Sequence, residues 1–267
     1  MKRAALLGAV ALLAACAARP SFKARTTGRD VVLSIVTWNV NKGAGQLARF
    51  TDDFVAGRLT PTPVRNFMIL LQETIDGNDT DAVALARTRN LHSYYDPVLP
   101  TERGMSGNAI ISTLPLADIR SIPLPESRHT RKALAATIEL DGLKLFAICA
   151  HLENRARWLN TFGLFSDSIR KRQAKVLLAA VPTGHGFLGG DFNTWFGPTE
   201  PALKDIRKRF NSTPHEGPEP TYEEHLVLDH LFFDLPDRWE AVREVVKDRY
   251  GSDHHPVVAL ILQRHPS

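Results

Sequence analysis

The chain has 267 residues, 43% hydrophobic and 23% charged, with a formal net charge of +4. That balance suits one large globular domain or two small ones, and with no repeat or low-complexity tract it excludes a repeat array or a disordered chain. The first element is a leader, MKRAALLGAVALLAACAARP, with basic Lys2 and Arg3, a short apolar stretch and a small-residue end. This is the pattern of a secretory signal peptide and is too short for a comfortable membrane span.

Within that leader, Leu13-Ala14-Ala15-Cys16 resembles a bacterial lipobox. The resemblance implies cleavage after residue 15, lipidation of Cys16 and anchoring to a membrane. Ala17, not Asp, follows the Cys, which by the same resemblance points to the outer membrane of a bacterial envelope, facing the periplasm. Residues 16–29 read as the lipidated Cys and a polar tether, and residues 30–267 as the domain. Loss of Lys2 and Arg3 lowers the net charge by two, so the mature domain is near neutral. Electrostatics therefore neither demand nor exclude a nucleic-acid partner. With Cys16 lipidated, Cys149 has no partner for an internal disulfide and reads as a buried thiol.

Along the body, VVLSIVTWNVN (31–41) reads as a strand. GQLARFTDDFVAGRL reads as an amphipathic helix, with Leu47, Phe50 and Phe54 at helical spacing. NFMILLQET is a short apolar run ending in polar groups, hence a buried strand. DTDAVALARTRN reads as a helix capped by Asp79 or Thr80. Strands follow at SYYDPVL, GNAIISTLP and ALAATIEL, and Asp141-Gly142 turns the chain into LKLFAICAHLEN. SDSIRKRQAKVLLAAV and PTEPALKDIRKRF are helices on either side of the strand GHGFLGGDFNTW. The last third gives strands at LVLDHLFFDL, WEAVREVVK and HPVVALIL. Hairpins mixed with crossover helices predict an α/β fold of two packed sheets with helices on their outer faces.

One pattern recurs in these strands: each apolar run meets carboxylates, amides or imidazoles at one end. Asn39, Glu73, His151, Asp191 with Asn193, Asp229, and Asp253 with His254 occupy six such ends. Convergence of these ends on one sheet edge makes one site. Glu, Asp and amide oxygens form a hard donor set suited to Mg²⁺ or Mn²⁺ and not to zinc. Histidines near carboxylates suit proton transfer and charge stabilisation. No motif frames a Ser or Cys nucleophile, so the residue types point to metal-assisted attack of water on a phosphoester.

The motifs TWNVN, LLQET, GNAIIS, AHLEN, LGGDFNTW, LDHLFF and GSDHHPV span residues 37–257. In this order they resemble the endonuclease/exonuclease/phosphatase superfamily, which includes pancreatic-type deoxyribonuclease, abasic-site endonucleases, neutral sphingomyelinases and inositol-polyphosphate phosphatases. The resemblance implies a four-layer α/β sandwich. It also implies Glu73 as principal metal ligand with Asn39 beside it, and Asp253 as a further acidic ligand. His254 would be the general base and Asp229 its orienting partner. Asp191 and Asn193 would position water and phosphate, and His151 would donate to a phosphate oxygen. Abasic-site endonucleases carry Tyr where this chain has His151, so the chain sides with the other branches. By rough position Lys42 and Arg131 contact phosphate. His255 reads as structural, and His92, His129, His185, His215, His225 and His230 belong to no site motif. Trp158, Phe162 and Phe165 precede a basic run with Arg170, Lys171, Arg172 and Lys175, the segment most suited to substrate choice.

The expected protein is thus a monomeric, Mg²⁺- or Mn²⁺-dependent phosphodiesterase, with a nucleic acid as one candidate substrate. The alternatives are a phospholipid or phosphorylated small-molecule substrate for the same chemistry, and a binding lipoprotein on a retired enzyme fold. The last is disfavoured because no member of the ligand set is missing.

Overall fold

A computed structural model describes residues 22–126, 129–154, 164–214 and 219–264. The expected signal peptide and Cys16 lie outside the described residues, as do Trp158, Phe162 and His215. In chain order the elements are α1 (Phe22–Thr26), β1 (Val31–Asn39), α2 (Leu47–Val55), β2 (Phe67–Ile75), α3 (Ala82–Thr88), β3 (His92–Thr101), β4 (Gly104–Ser112) and β5 (Ala117–Leu124). There follow β6 (Arg131–Leu140), β7 (Leu143–His151), α4 (Leu164–Ala180), β8 (Gly186–Asp191), α5 (Pro201–Arg209), β9 (Asp229–Asp234), β10 (Trp239–Val245) and β11 (Val257–Gln263).

The strands form a six-stranded sheet, β10-β11-β1-β2-β4-β3, and a five-stranded sheet, β5-β6-β7-β8-β9. Strand alternation sorts their side chains into layers. Leu33, Ile35, Met68 and Leu70 meet Leu134, Ala147, Phe187 and Leu231 in the core between the sheets. The opposite face of the first sheet, with Val36, Trp38, Ile69 and Val258, is covered by Phe50 and Phe54 of α2 and Leu85 of α3. The outer face of the second, with Ala133, Phe146, Ile148 and Phe232, is covered by Leu177 of α4 and Leu203 and Ile206 of α5. Helix, sheet, sheet, helix is the expected four-layer sandwich.

Topology decides which strand ends meet. β1 and β2 run parallel through the crossover α2, so Asn39 and Glu73 end at the same edge. β7 and β8 run parallel through α4, which does the same for His151 and Asp191. β11 is antiparallel to β1 and β9 antiparallel to β8, so their first residues also lie at that edge. Gly190 allows the β7–β8 pairing to close, because a Cβ there would stand 1.8 Å from the carbonyl oxygen of Ala150.

Three local expectations are corrected and one strand is added. Asp81 caps α3, accepting from Val83 and Ala84 amides, because it stands at the N-cap one position beyond Thr80. Phe22 and Thr26 are buried in α1, which packs on β10, so the second half of the tether belongs to the fold. β5 was not anticipated; its mostly exposed pattern, with Pro123 inside, marks it as the edge strand it is. Arg170, placed in the basic run suited to substrate choice, is fully buried and forms two hydrogen bonds to Glu200, at 2.8 and 2.9 Å.

Candidate active site

At the shared edge, Asp191 Oδ2 is the hub. It accepts a hydrogen bond from Asn39 Nδ2 at 3.0 Å, and lies 3.5 Å from His151 Nε2 and 3.9 Å from His254 Nε2. Its other oxygen accepts from the backbone amide of Asn193 at 2.9 Å. Four polar groups from both sheets thus converge on one buried carboxylate. His254 Nδ1 faces Asp229 Oδ2 at 2.7 Å. That contact orients the imidazole, leaving Nε2 toward Asp191.

The charges follow from this packing. Burial pushes Asp191 up to about 7, against the pull of His254, with Asp229 adding to the rise. Burial alone would lower His254, but the charge and hydrogen bond of Asp229, then Asp191 and Asp253, raise it to about 10. His151 is held well below its ordinary value, first by burial and then by the cations of Arg131 and His254, so it is a neutral imidazole.

Glu73 and Asn193 both have left-handed backbones, with φ of 59° and 50°. Such strain in non-glycine residues, about 1–3 kcal/mol each, persists where surrounding structure over-determines it. Here Glu73 Oε2 accepts from the Lys42 amide at 3.0 Å while Oε1 stands 3.9 Å from His151 Nε2. Asn193 Nδ2 donates to the Leu152 carbonyl at 3.1 Å and its Oδ1 faces Trp195 Nε1 at 3.3 Å.

The donor set fits a hard cation. Glu73 reaches the cleft half-buried, Asn39 Oδ1 accepts the Asn41 amide at 3.0 Å, and Asp229 Oδ1 is buried without a partner among the described residues. Asp253 is half-buried, and Ser252 couples it to Asn39 by donating 2.7 Å to the Asn39 carbonyl. Asp191, Asp229 and His254 also present ligand atoms within 4.8 Å of one another. However, His254 Nδ1 and Asp229 Oδ2 are already engaged in their own hydrogen bond. Glu73, with Oε1 open to the cleft, is the freer carboxylate, and the Asn39 oxygen lies beside it at the same strand edge.

A cleft of about 760 Å³ opens beside Glu73 and His151. Lys42 and Arg131 line it; Lys42 is exposed, and Arg131 is buried with its Nε unpartnered among the described residues. His255 lies away from the hub, between the Val246 carbonyl at 2.8 Å and Arg249 Nε at 2.9 Å, which suits a structural role. His230 is buried against Thr194 Oγ1 and lowered to about 3, first by burial. Cys149 is buried and pushed up to about 12 by burial.

Some contributors are not among the candidate residues read from the sequence. Thr221 Oγ1 accepts the amides of Leu228 and Asp229, and Tyr222 packs its ring 4.7 Å from that of His254. Trp195 donates to Asn154 at 3.0 Å and packs on Tyr222. The only sequence signal for these was a polar-aromatic loop upstream of LDHLFF and a Trp ending LGGDFNTW.

Residues 36–254 match the model of the Endonuclease/Exonuclease/phosphatase family. No curated protein matches the chain. Among solved structures, the human Nocturnin catalytic domain with bound sulfate is 18% identical, with a TM-score of 0.62 over 87% of this chain and 97% of that one. Staphylococcus aureus beta toxin, in an F277A, P278A mutant with bound magnesium ions, is 19% identical, with a TM-score of 0.57 over 85% and 98%. D. rerio TDP2 complexed with single-strand DNA product is 17% identical, with a TM-score of 0.57 over 86% and 98%. At these identities the likeness is one of fold.

Proposed function

The chain belongs to the endonuclease/exonuclease/phosphatase family of metal-dependent phosphoric ester hydrolases, and we propose that it is a Mg²⁺- or Mn²⁺-dependent phosphodiesterase. The observation that carries this reading is the hub at Asp191, where Asn39, His151 and His254 converge beside Glu73. A divalent ion held by Glu73 and Asn39, with Asp253 behind them, would polarise a phosphoryl oxygen. Magnesium ions bound to the beta toxin of the same fold are consistent with that choice.

The chain's own groups divide the proton work. His254, raised to about 10, keeps its proton at neutral pH and donates from Nε2 to a phosphate oxygen, with Asp229 stabilising the imidazolium. Asp191, near 7, has the pKa matched to accept the proton of an attacking water. This exchanges the role first expected for His254 with that of its neighbour. Neutral His151 donates from Nε2, and Asn193 fixes the Asp191 carboxylate through its amide. Arg131 and Lys42 supply positive charge to the phosphate from the cleft.

A phospholipid is the second substrate reading, favoured by Phe196, 47% exposed and directly following Trp195. The leader adds a location: lipidation of Cys16 would anchor the domain to the outer membrane of a bacterial envelope, facing the periplasm. The test of function is hydrolysis of bis(p-nitrophenyl) phosphate and p-nitrophenyl phosphate with Mg²⁺, Mn²⁺ or EDTA. Metal-dependent cleavage of the diester in preference to the monoester supports the reading; monoester preference or no cleavage overturns it.

A further inference from the structure

The chemistry above uses one end of the cleft, around Glu73 and His151. The cleft continues along the β3–β4 hairpin, and its volume of about 760 Å³ is that of a small-molecule site, far beyond one phosphoryl group. The hairpin turn, Thr101-Glu102-Arg103-Gly104, places an exposed Arg103 on this arm. Arg103 Nη1 lies 3.4 Å from the carbonyl of Lys42, a weak contact, and the Lys42 amide donates to Glu73. Through that one residue, the guanidinium stands within about 10 Å of the Glu73 carboxylate.

Three cations therefore line this cleft: Arg131, which is buried, and Lys42 and Arg103, which are exposed. Arg131 is 7% exposed and its Nε is unpartnered among the described residues, an arrangement that calls for an anion. Neither Lys42 nor Arg103 has a carboxylate partner among the described residues, whereas Lys132 nearby is paired with Asp96 at 3.2 Å. Of the other acidic groups on the same walls, Glu102 is exposed and Glu153 is buried, accepting the Asn154 amide. A guanidinium left open toward a cleft matches the fork geometry of phosphate.

We propose that this arm is a second anion subsite, which takes the phosphate next to the scissile one in a substrate carrying at least two, with Arg103 as its specificity-determining residue. The proposal rests on the phosphodiesterase reading. The substrate class is a phosphodiester with a further phosphate beside the scissile one, either a compact diester bearing a terminal phosphate or a single strand, for which a nucleoside bisphosphate is the two-phosphate binding probe.

The test is calorimetric binding in Mg²⁺ of thymidine 5′-monophosphate and thymidine 3′,5′-bisphosphate, to the wild-type protein and to Arg103→Ala. The bisphosphate is expected to bind the wild type about 10-fold more tightly, as one charge-assisted contact to phosphate provides. In Arg103→Ala the ratio is expected to fall to about 1 with monophosphate affinity unchanged. Equal binding of the two by wild type, or a preference that survives in Arg103→Ala, overturns the subsite. Turnover of bis(p-nitrophenyl) phosphate, which has no second anion, is expected to be the same in both proteins. Its absence from both would remove the phosphodiesterase reading and leave the binding ratio to judge the subsite. A short oligothymidylate binding more tightly than the bisphosphate identifies the strand as the source, and no gain identifies a compact diester bearing a terminal phosphate.

Discussion

His254 Nδ1 and Asp229 Oδ2 stand 2.7 Å apart, both buried, across the seam between the two sheets. His254 immediately precedes β11 of the first sheet and Asp229 opens β9 of the second. The pair exists only if the sheets pack in the correct offset, so it couples the chemistry to the sandwich itself. Asp229→Asn keeps the shape and removes the charge. Activity toward bis(p-nitrophenyl) phosphate is expected to fall by ~10²–10⁴. With Asp229 neutral, burial prevails and His254 loses its proton at lower pH, so the basic limb of the rate profile moves toward acid. An unmoved basic limb would assign that limb to another group.

The pH profile itself separates the two possible bases. Asp191 must be ionised to accept a proton, so kcat/KM is expected to rise with pH through about 7. His254 must be protonated to donate, so the rate is expected to fall toward about 10. A cation at Glu73 disfavours protons on both groups and moves both limbs lower. Initial rates from pH 5 to 10.5 check this, and a rate that only rises returns the base role to His254.

Metal binding should be linked to the same proton. Mg²⁺ near Asp191 favours its carboxylate, so ions binding below pH 7 are expected to release protons, and affinity is expected to increase as pH rises through about 7. Calorimetry in buffers of different ionisation enthalpy measures the release. Glu73→Gln is expected to weaken Mg²⁺ binding by at least ~10-fold. Unchanged affinity in that variant would move the ion elsewhere, with the Asp191, Asp229 and His254 group next in line.

Arg170 and Glu200 form a fully buried, two-point ion pair that ties α4 to the start of α5, and Arg170 also donates to the Glu153 carbonyl beyond His151. Arg170→Met leaves a buried carboxylate without its partner, at an expected cost of about 3–5 kcal/mol. Adding Glu200→Leu is expected to recover part of that loss. Thermal denaturation of the single and double variants measures both, and a double variant no more stable than the single would deny that the buried charge is the cause.

The leader makes a separate prediction. Cys16→Ser is expected to abolish incorporation of labelled fatty acid and release the domain from membrane fractions. Labelling that persists in the variant would place the lipid on another residue.

Much of this protein is legible in the chain alone. Short continuous apolar runs such as NFMILLQET fix buried strands, and Leu47, Phe50 and Phe54 fix a helix face, because burial has to follow the local geometry of the backbone. Asp141-Gly142 fixes its hairpin for the same local reason: both residues adopt positive φ, at 50° and 72°. The candidate residues Asn39, Glu73, His151, Asp191, Asn193, Asp229, Asp253 and His254 are visible as polar ends of apolar runs. What only the tertiary structure decides is their spacing and charge. Parallel β1–β2 and β7–β8 pairs, with antiparallel β11 and β9 beside them, bring six separated ends to one edge. Burial raises Asp191 there, and the neighbouring carboxylates raise His254 against the effect of its own burial. The same holds for Arg170, whose basic neighbours in sequence conceal that its partner lies 30 residues away. Long-range electrostatics depend on distances that no local pattern encodes, so they enter only when the two sheets meet.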